Sequence, residues 1–294
     1  MKLTALFLLS QLVLSAGTEL VSVPVTVTDE NGNPVPGLVE ADFRVYEDGR
    51  PQPITLFHRG DVPVTLGVVV DRSQSMRGKS SALTAAVSTL LQSTGADDEL
   101  FGVTFHDTVS PALPGPSAFT SDGHAIAAAV YAISAGGRTA LYDGVAEGLR
   151  QLELGHSQKS ALIVVSDGGD NASRQTYEQV LALARRSGAV IYGIGLMGTP
   201  PANEEEDGRL LSRLCRETGG IAYFPRSILE TVAVSAQIAR ELRNQYLIGF
   251  TPSTRISRDP FRTITVRVAA EGLGPVRVRA RAGYMAAQQS DTAR

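Results

Sequence analysis

Three near-continuous apolar runs mark the middle of the chain. Val64-Thr65-Leu66-Gly67-Val68-Val69-Val70 leads into Asp71, residues 159–165 lead into Ser166-Asp167-Gly168, and residues 190–196 form the third. A strand that is apolar at successive positions suits a parallel sheet covered by helices on both faces. Helical spacing fills the intervals at 81–92, 122–134, 140–154, 175–187, 208–218 and 228–243. Strands alternating with helices of this length predict βαβ units, and so a doubly wound, mostly parallel α/β domain over 61–244.

The flanks have a different texture. Over 20–28 valines alternate with small polar residues, the period of a half-buried strand, until Asn31-Gly32-Asn33-Pro34 breaks it. Residues 43–47 and 52–57 predict a strand pair around Asp48-Gly49, a tight hairpin turn. Beyond Gln245 the pattern predicts strands at 246–250, 263–268 and 276–281. In the last of these the arginines share one face, which predicts a solvated strand face. Neither flank can form a core alone, but together they supply about six strands, the size of a small sheet. The expectation is an α/β domain inserted into a small β-sandwich-like domain built from 18–60 and 245–285. Residues 286–294 are polar and read as a disordered tail.

Composition narrows the function. The 294 residues carry a net charge of −3, with 43% hydrophobic and 19% charged residues. That balance points to a soluble globular protein and argues against nucleic acid or an anionic membrane as the main partner. Lys2, the apolar stretch from Leu3 to Leu14 and Ser15-Ala16-Gly17 predict a cleaved signal peptide over 1–17. The expected location is therefore secreted or periplasmic. No cysteine follows the cleavage region, against a lipoprotein, and no second run approaches membrane-spanning length, against stable membrane insertion. Cys215 stands alone, so no internal disulfide is available, and it reads as a small buried hydrophobe.

Candidate chemistry gathers at the carboxyl ends of the apolar runs, where open α/β sheets bind ligands. Asp71-Arg72-Ser73-Gln74-Ser75 follows the first run, and Asp167 ends the second. Thr139, in Gly136-Gly137-Arg138-Thr139-Ala140, precedes a helix that starts from the same edge. Each piece alone also fits a helix cap or a turn. Together, Asp71, Ser73, Ser75, Thr139 and Asp167 offer only oxygen, the donor set of a hard cation such as Mg2+, with Mn2+ or Ca2+ as substitutes. Two carboxylates diluted by neutral hydroxyls would leave the ion electrophilic, ready for an Asp or Glu carboxylate of a protein partner. That is binding chemistry, not catalysis.

The same five residues, in this order, resemble the metal-ion-dependent adhesion site of von Willebrand factor A-type domains over roughly 61–240. The resemblance implies Ser73, Ser75 and Thr139 on the ion directly or through water, and Asp71 and Asp167 acting largely through water. Asp42-Phe43-x-Val45-x-Glu47-Asp48-Gly49, Gln245-Tyr246-Leu247-Ile248-Gly249-Phe250 and Gly283-Tyr284 resemble the flanks of an exported bacterial subgroup.

A rival is a magnesium phosphatase of haloacid dehalogenase type, which resembles Asp-x-Asp-x-Thr here. Ser73 stands at the general-acid position and cannot serve, and Lys159 begins a strand instead of ending one, leaving no well-placed lysine. A structural module with an unused metal site is the third reading. Among weaker candidates, Asp170 reads as solvated and Asp143 as a complement to a helix dipole. Residues 204–207 read as an acidic surface loop, and Asn171-Ala172-Ser173 as a glycosylation sequon without weight in a bacterial protein. His58, His106, His124 and His156 lack zinc spacing. Oligomeric state leaves no trace in the sequence.

Overall fold

The computed structural model describes residues 20–113, 119–167, 169–196, 204–252, 260–270, 272 and 274–286, without the side chains of 204–207. The expected leader and residues 287–294 of the expected tail lie outside the described residues.

The chain opens with β1 (Val21–Thr28), β2 (Phe43–Glu47), β3 (Arg50–Gln52) and β4 (Leu56–His58). The α/β segment follows: β5 (Val64–Asp71), α1 (Ser80–Leu91), β6 (Glu99–Phe105), β7 (Val109–Pro111), α2 (Gly123–Ala132), α3 (Leu141–Leu152) and β8 (Lys159–Ser166). It continues through α4 (Tyr177–Ser187), β9 (Val190–Gly195), α5 (Glu204–Glu217), β10 (Ala222–Tyr223) and α6 (Ile228–Asn244). The chain then returns to β structure in β11 (Tyr246–Phe250), β12 (Phe261–Val268), β13 (Arg277–Arg279) and β14 (Gly283–Met285).

The six-stranded central sheet runs β10-β9-β8-β5-β6-β7, parallel except for the edge strand β7. Alternate residues of its strands serve two separate cores. Leu66, Val68, Val70, Ile163 and Val165 face Leu83, Val87, Ile126, Val130, Ile238 and Leu242 of α1, α2 and α6. Val69, Phe101, Val103, Leu162 and Val164 face Val145, Leu149, Val180, Leu181, Leu214 and Cys215 of α3, α4 and α5. Both faces of each strand are thus withdrawn from water, which is why the runs are apolar without alternation. Each such side chain contributes about 1.5–3 kcal/mol of transfer free energy. Gly67 sits where the sheet is tightly packed: a Cβ there would stand 2.3 Å from the Phe101 ring and 2.7 Å from Leu162.

The flanking strands form two four-stranded sheets, β13-β1-β11-β4 and β14-β12-β2-β3. β1 pairs with β11, Val23 opposite Ile248, so strands from before and after the α/β segment share one sheet. Val23, Val25, Phe43, Val45, Ile248, Phe250, Ile264 and Tyr284 fill the space between the sheets.

Four expectations need correction. The strand expected over 52–57 is split: β3 pairs with β2 across Asp48-Gly49, whereas β4 crosses to the other sheet and pairs with β11. Positive φ at both Asp48 and Gly49 gives the hairpin the turn that matches strand twist. Residues 93–121, read without an element, contain the central strand β6 and the edge strand β7. Gly102 and Thr104 dilute the apolar run of β6, which hid it. Residues 204–207 are the first turn of α5 rather than a loop, in keeping with glutamate's helix propensity.

Of the arginines of 276–281 only Arg277 faces solvent as expected. Arg279 pairs with the buried Glu241 of α6, and Arg281, itself buried, donates to the carbonyls of Arg185 and Gly283. With Gln245, whose amide donates to Thr26 Oγ1 at 3.1 Å and Tyr192 Oη at 3.2 Å, they tie the sandwich to the α/β segment.

Two outcomes test this scaffold. Glu241→Ala leaves the Arg279 guanidinium half-buried without its carboxylate and should cost about 3 kcal/mol in urea denaturation, partly recovered in the Glu241→Ala/Arg279→Ala double variant. Glu99 gives a pH signature. Burial pushes its carboxyl up, but hydrogen bonds from Thr65, His156 and Ser157 outweigh burial and hold it at about 2, against 4.5 unperturbed. A depressed carboxyl stabilises the fold above its unfolded value and loses that contribution as pH falls toward the folded one. Wild type should therefore lose more stability than Glu99→Gln between pH 4.5 and about 2, read from melting temperatures; parallel curves would show that these bonds do not act in solution.

Candidate metal-binding site

The parallel register of β5 and β8 sets Val70 against Val165, so the two strands end side by side with Asp71 next to Ser166. Asp71 is fully buried, and its carboxylate is held from two sides: Ser73 N–H donates to Oδ1 at 2.8 Å and Ser166 Oγ to Oδ2 at 2.7 Å. Burial raises the Asp71 pKa above its ordinary value; hydrogen bonds from Ser73 and Ser166 oppose this, and the charge of nearby Asp167 adds to it.

From Asp71 the chain turns into a 3-10 segment, Gln74–Lys79, with Ser73 at its N-cap position. Ser73 makes no side-chain cap bond there. Its hydroxyl instead lies 3.0 Å from Ser75 Oγ. Buried Ser73 and exposed Ser75 thus form a pair leading from the sheet to the surface. Arg72 turns the other way, buried and donating to the Ile133 carbonyl, and Gln74 is exposed.

The loop bearing Thr139 is stitched to this turn through backbone bonds. Gly136 N–H donates to the Arg72 carbonyl at 2.8 Å, and Gln74 N–H to the Gly137 carbonyl at 3.1 Å. Gly137 adopts a φ of 76°, and a Cβ on it would meet Asp107 Oδ2 at 1.9 Å, so only glycine lets the loop lie against Asp107. Thr139 is buried, with its N–H donating to Asn171 Oδ1 at 2.9 Å and its carbonyl accepting from Asn171 and Ala172.

The structure thus joins Asp71, Ser73 and Ser75 by direct bonds. Asp167 adjoins through Ser166 and through its charge on Asp71, and Thr139 through the backbone of its loop. Among the described residues, the Thr139 hydroxyl bonds none of the other four.

The donors suit a small hard dication. Two ligands on adjacent corners of an octahedron of radius about 2.1 Å lie about 3.0 Å apart, so the hydrogen bond that holds the Ser73 and Ser75 hydroxyls 3.0 Å apart keeps them at a separation such an ion would accept. The charge of Asp167 lies close enough to be felt at Asp71, which calls for positive charge between or beside the two carboxylates.

Part of that charge comes from Lys79. Its ammonium lies 2.9 Å from Asp167 Oδ2, largely shielded from solvent. The sequence reading missed it, although Lys79 closes the turn that begins at Ser73. A lysine is therefore present at the site, contrary to the expectation, but the acid a phosphatase needs is still absent because Ser73 occupies its position.

Other polar residues behave differently from expectation too. Asp170 Oδ1 accepts from the Tyr142 N–H at 3.2 Å, at the start of α3, and from Ser173 Oγ at 2.6 Å, so it holds a loop rather than merely facing water. Asp143 accepts the N–H groups of Arg174 and Gln175, each at 3.0 Å, rather than complementing its own helix alone. Asn171, noted only as a sequon, has its side chain committed to Thr139. Cys215 is buried, with its thiol pushed up by desolvation, as expected for an inert hydrophobe.

A doubly wound α/β sheet with these loops at its carboxyl edge defines a class of domain, and comparison with known proteins places the chain in it. The profile of the von Willebrand factor type A domain matches residues 66–234, and the chain belongs to that family. No curated protein matches it. A von Willebrand factor type A structure from Catenulispora acidiphila superposes with a TM-score of 0.52 at 11% identity, over 94% of this chain and 76% of that one. A pilus adhesin of Lactobacillus rhamnosus GG in its open conformation gives 0.51 at 12% identity, over 88% of this chain and 48% of the adhesin. Proximal thread matrix protein 1 of the mussel byssus gives 0.50 at 18% identity, over 67% and 49%. At these identities the likeness is one of fold. Among the described residues, no helix is long and apolar enough to cross a membrane.

Because burial disfavours the Asp71 carboxylate, and Asn can still accept from Ser73 N–H through its amide oxygen while its amide nitrogen donates to the Ser166 hydroxyl in the reversed sense, Asp71→Asn should melt at or above the wild-type temperature in EDTA. A clear drop would show that the carboxylate is already compensated without an ion.

Proposed function

We propose that this chain is a binding module that holds a divalent cation, magnesium in the first place, among Asp71, Ser73, Ser75, Thr139 and Asp167. Its partner is a protein that presents an Asp or Glu carboxylate to that ion. The supporting observation is the pair of neighbouring carboxylates with a hydroxyl pair leading outward at octahedral spacing. A bound dication supplies an electrophilic centre for one more anionic oxygen.

The protein's own residues prepare that centre. Asp71 fixes the turn through Ser73 N–H and is itself fixed by Ser166, while Asn171 holds the Thr139 backbone. Donors held by bonds of their own need little rearrangement when a ligand arrives. Ser73 rather than a carboxyl stands at the position a phosphatase's general acid would take, so the reading is a non-enzymatic module. The adhesin and the byssal matrix protein share its fold, and we extend to this chain a role in contact between proteins.

We also read the chain as exported, secreted or periplasmic, with 1–17 as its signal peptide. Residues 61–244 are read as the binding domain, inserted into the sandwich of 18–60 and 245–285.

Titration with MgCl2 should show binding that Ser73→Ala weakens at least tenfold, on the scale by which ligand-shell changes affect metal sites. Capture of envelope proteins from the source organism should need magnesium and vanish with EDTA or Ser73→Ala. Capture that survives EDTA ends the carboxylate-bridge reading; magnesium-dependent hydrolysis of a phosphate ester, lost in Asp71→Asn, would replace it with an enzyme.

A further inference from the structure

Positive charge near the site is distributed unevenly. Arg72 donates to the Ile133 carbonyl, Arg77 Nε to the Ala135 carbonyl at 3.0 Å, and Arg138 pairs with Asp107 at 2.9 Å. All three are held by groups outside the carboxylate pair. Lys79 differs: its ammonium lies on Asp167 Oδ2 at 2.9 Å, with both side chains mostly shielded from water.

Lys79 is also part of the turn that carries Ser73 and Ser75, because Gln74–Lys79 is one 3-10 segment. It lies four positions after Ser75, on a side chain with a flexible four-carbon stem. Its ammonium can leave Asp167 by rotating that chain, with the serines left in place. Lysine, a compact point charge, suits this exchange better than the rigid fork of arginine.

We propose that Lys79 is a built-in competitor of the cation: its ammonium holds Asp167 in the ion-free protein and must give up that carboxylate when an ion enters. This rests on the metal-binding reading above and adds the residue that sets the affinity. Without Lys79, two neighbouring carboxylates would stand uncompensated. With it, the empty site keeps its shape, and an ion binds only where its gain exceeds the loss of the ion pair.

A purely structural lysine predicts something else. Removing it would lower stability and leave ion affinity unchanged or weaker. Removing a competitor lowers stability without ions but tightens ion binding, because a positive charge a few ångströms from a dication opposes it strongly at the effective dielectric of such sites.

The test uses the full chain and Mn2+ alone as probe, with free ion read by electron paramagnetic resonance and melting temperatures read in EDTA and in Mn2+. Lys79→Met and Lys79→Gln remove the charge; Lys79→Arg keeps it. Both neutral variants should bind Mn2+ about tenfold more tightly than wild type, with Lys79→Arg no tighter. They should melt below wild type in EDTA and gain more from Mn2+. Mn2+ binding by a neutral variant but not by wild type supports the same conclusion in stronger form. Equal or weaker affinity in both neutral variants, with wild type binding, overturns the role of Lys79 and leaves the metal reading intact. Absence of Mn2+ binding in all four proteins overturns both.

Discussion

The parallel pairing of β5 with β8 is the constraint on which the rest of the site depends. Its register sets Val70 opposite Val165 and so brings Ser166 within 2.7 Å of the Asp71 carboxylate. A slip of one residue would turn every core side chain of a strand to the opposite face, and both faces here are packed by helices. The apolar cores therefore fix where the strands end, and the strand ends fix where the carboxylates stand. The cost falls on Asp71, whose buried charge is disfavoured by desolvation. Loops need only bring hydroxyls to a point the sheet has already defined.

A second set of interactions keeps the opposite edge occupied. Lys159, at the start of β8, donates to the Leu242 carbonyl near the end of α6, and burial lowers its pKa to about 8. Gln245 joins Thr26 of the sandwich to Tyr192 of the central sheet, and Arg281 reaches the carbonyl of Arg185 near the end of α4. In a βαβ unit the helix ends lie at the amino edge of the next strand, so these contacts attach the sandwich there. Ser75, at the carboxyl edge, is exposed, and none of these contacts among the described residues reaches it. The flanking strands are thus joined to the α/β segment through contacts away from the candidate site.

Much of this was legible in the sequence because it follows from strong periodic signals. The runs ending in Asp71 and Ser166 are buried strands of the predicted kind, with helices close to the expected positions between them. What escaped was set by tertiary context. β6 is central, yet Gly102 is required where a Cβ would meet Ala112 at 2.8 Å, and that glycine weakens the apolar pattern. The alternating arginines of 276–281 look solvated until Glu241, buried on a helix more than thirty residues earlier, supplies a partner for Arg279. Asp143, Asp170 and Asn171 looked incidental because their bonds join Thr139 and the start of α3 to a segment some thirty residues away. Local pattern cannot show such pairings. Lys79 escaped for the same reason: its partner Asp167 lies 88 positions away.

The charge arithmetic of the site connects Lys79 to the proposed function. Asp71 and Asp167 with Lys79 carry one net negative charge in formal terms, whereas without the lysine they carry two. A neutral-hydroxyl donor set would do little to raise ion affinity through charge, so on the proposed reading one lysine would have a large share in deciding how readily an ion is held. If ion and lysine compete for Asp167, a partner carboxylate that adds to the ion also works against the return of the lysine. Thermodynamic reciprocity then requires the ion to strengthen partner binding by the same factor by which the partner strengthens ion binding. An ion held weakly by the empty protein and firmly in the complex is what a contact sensitive to its ionic surroundings requires. The 2.9 Å ion pair is the part of the structure that would set that difference.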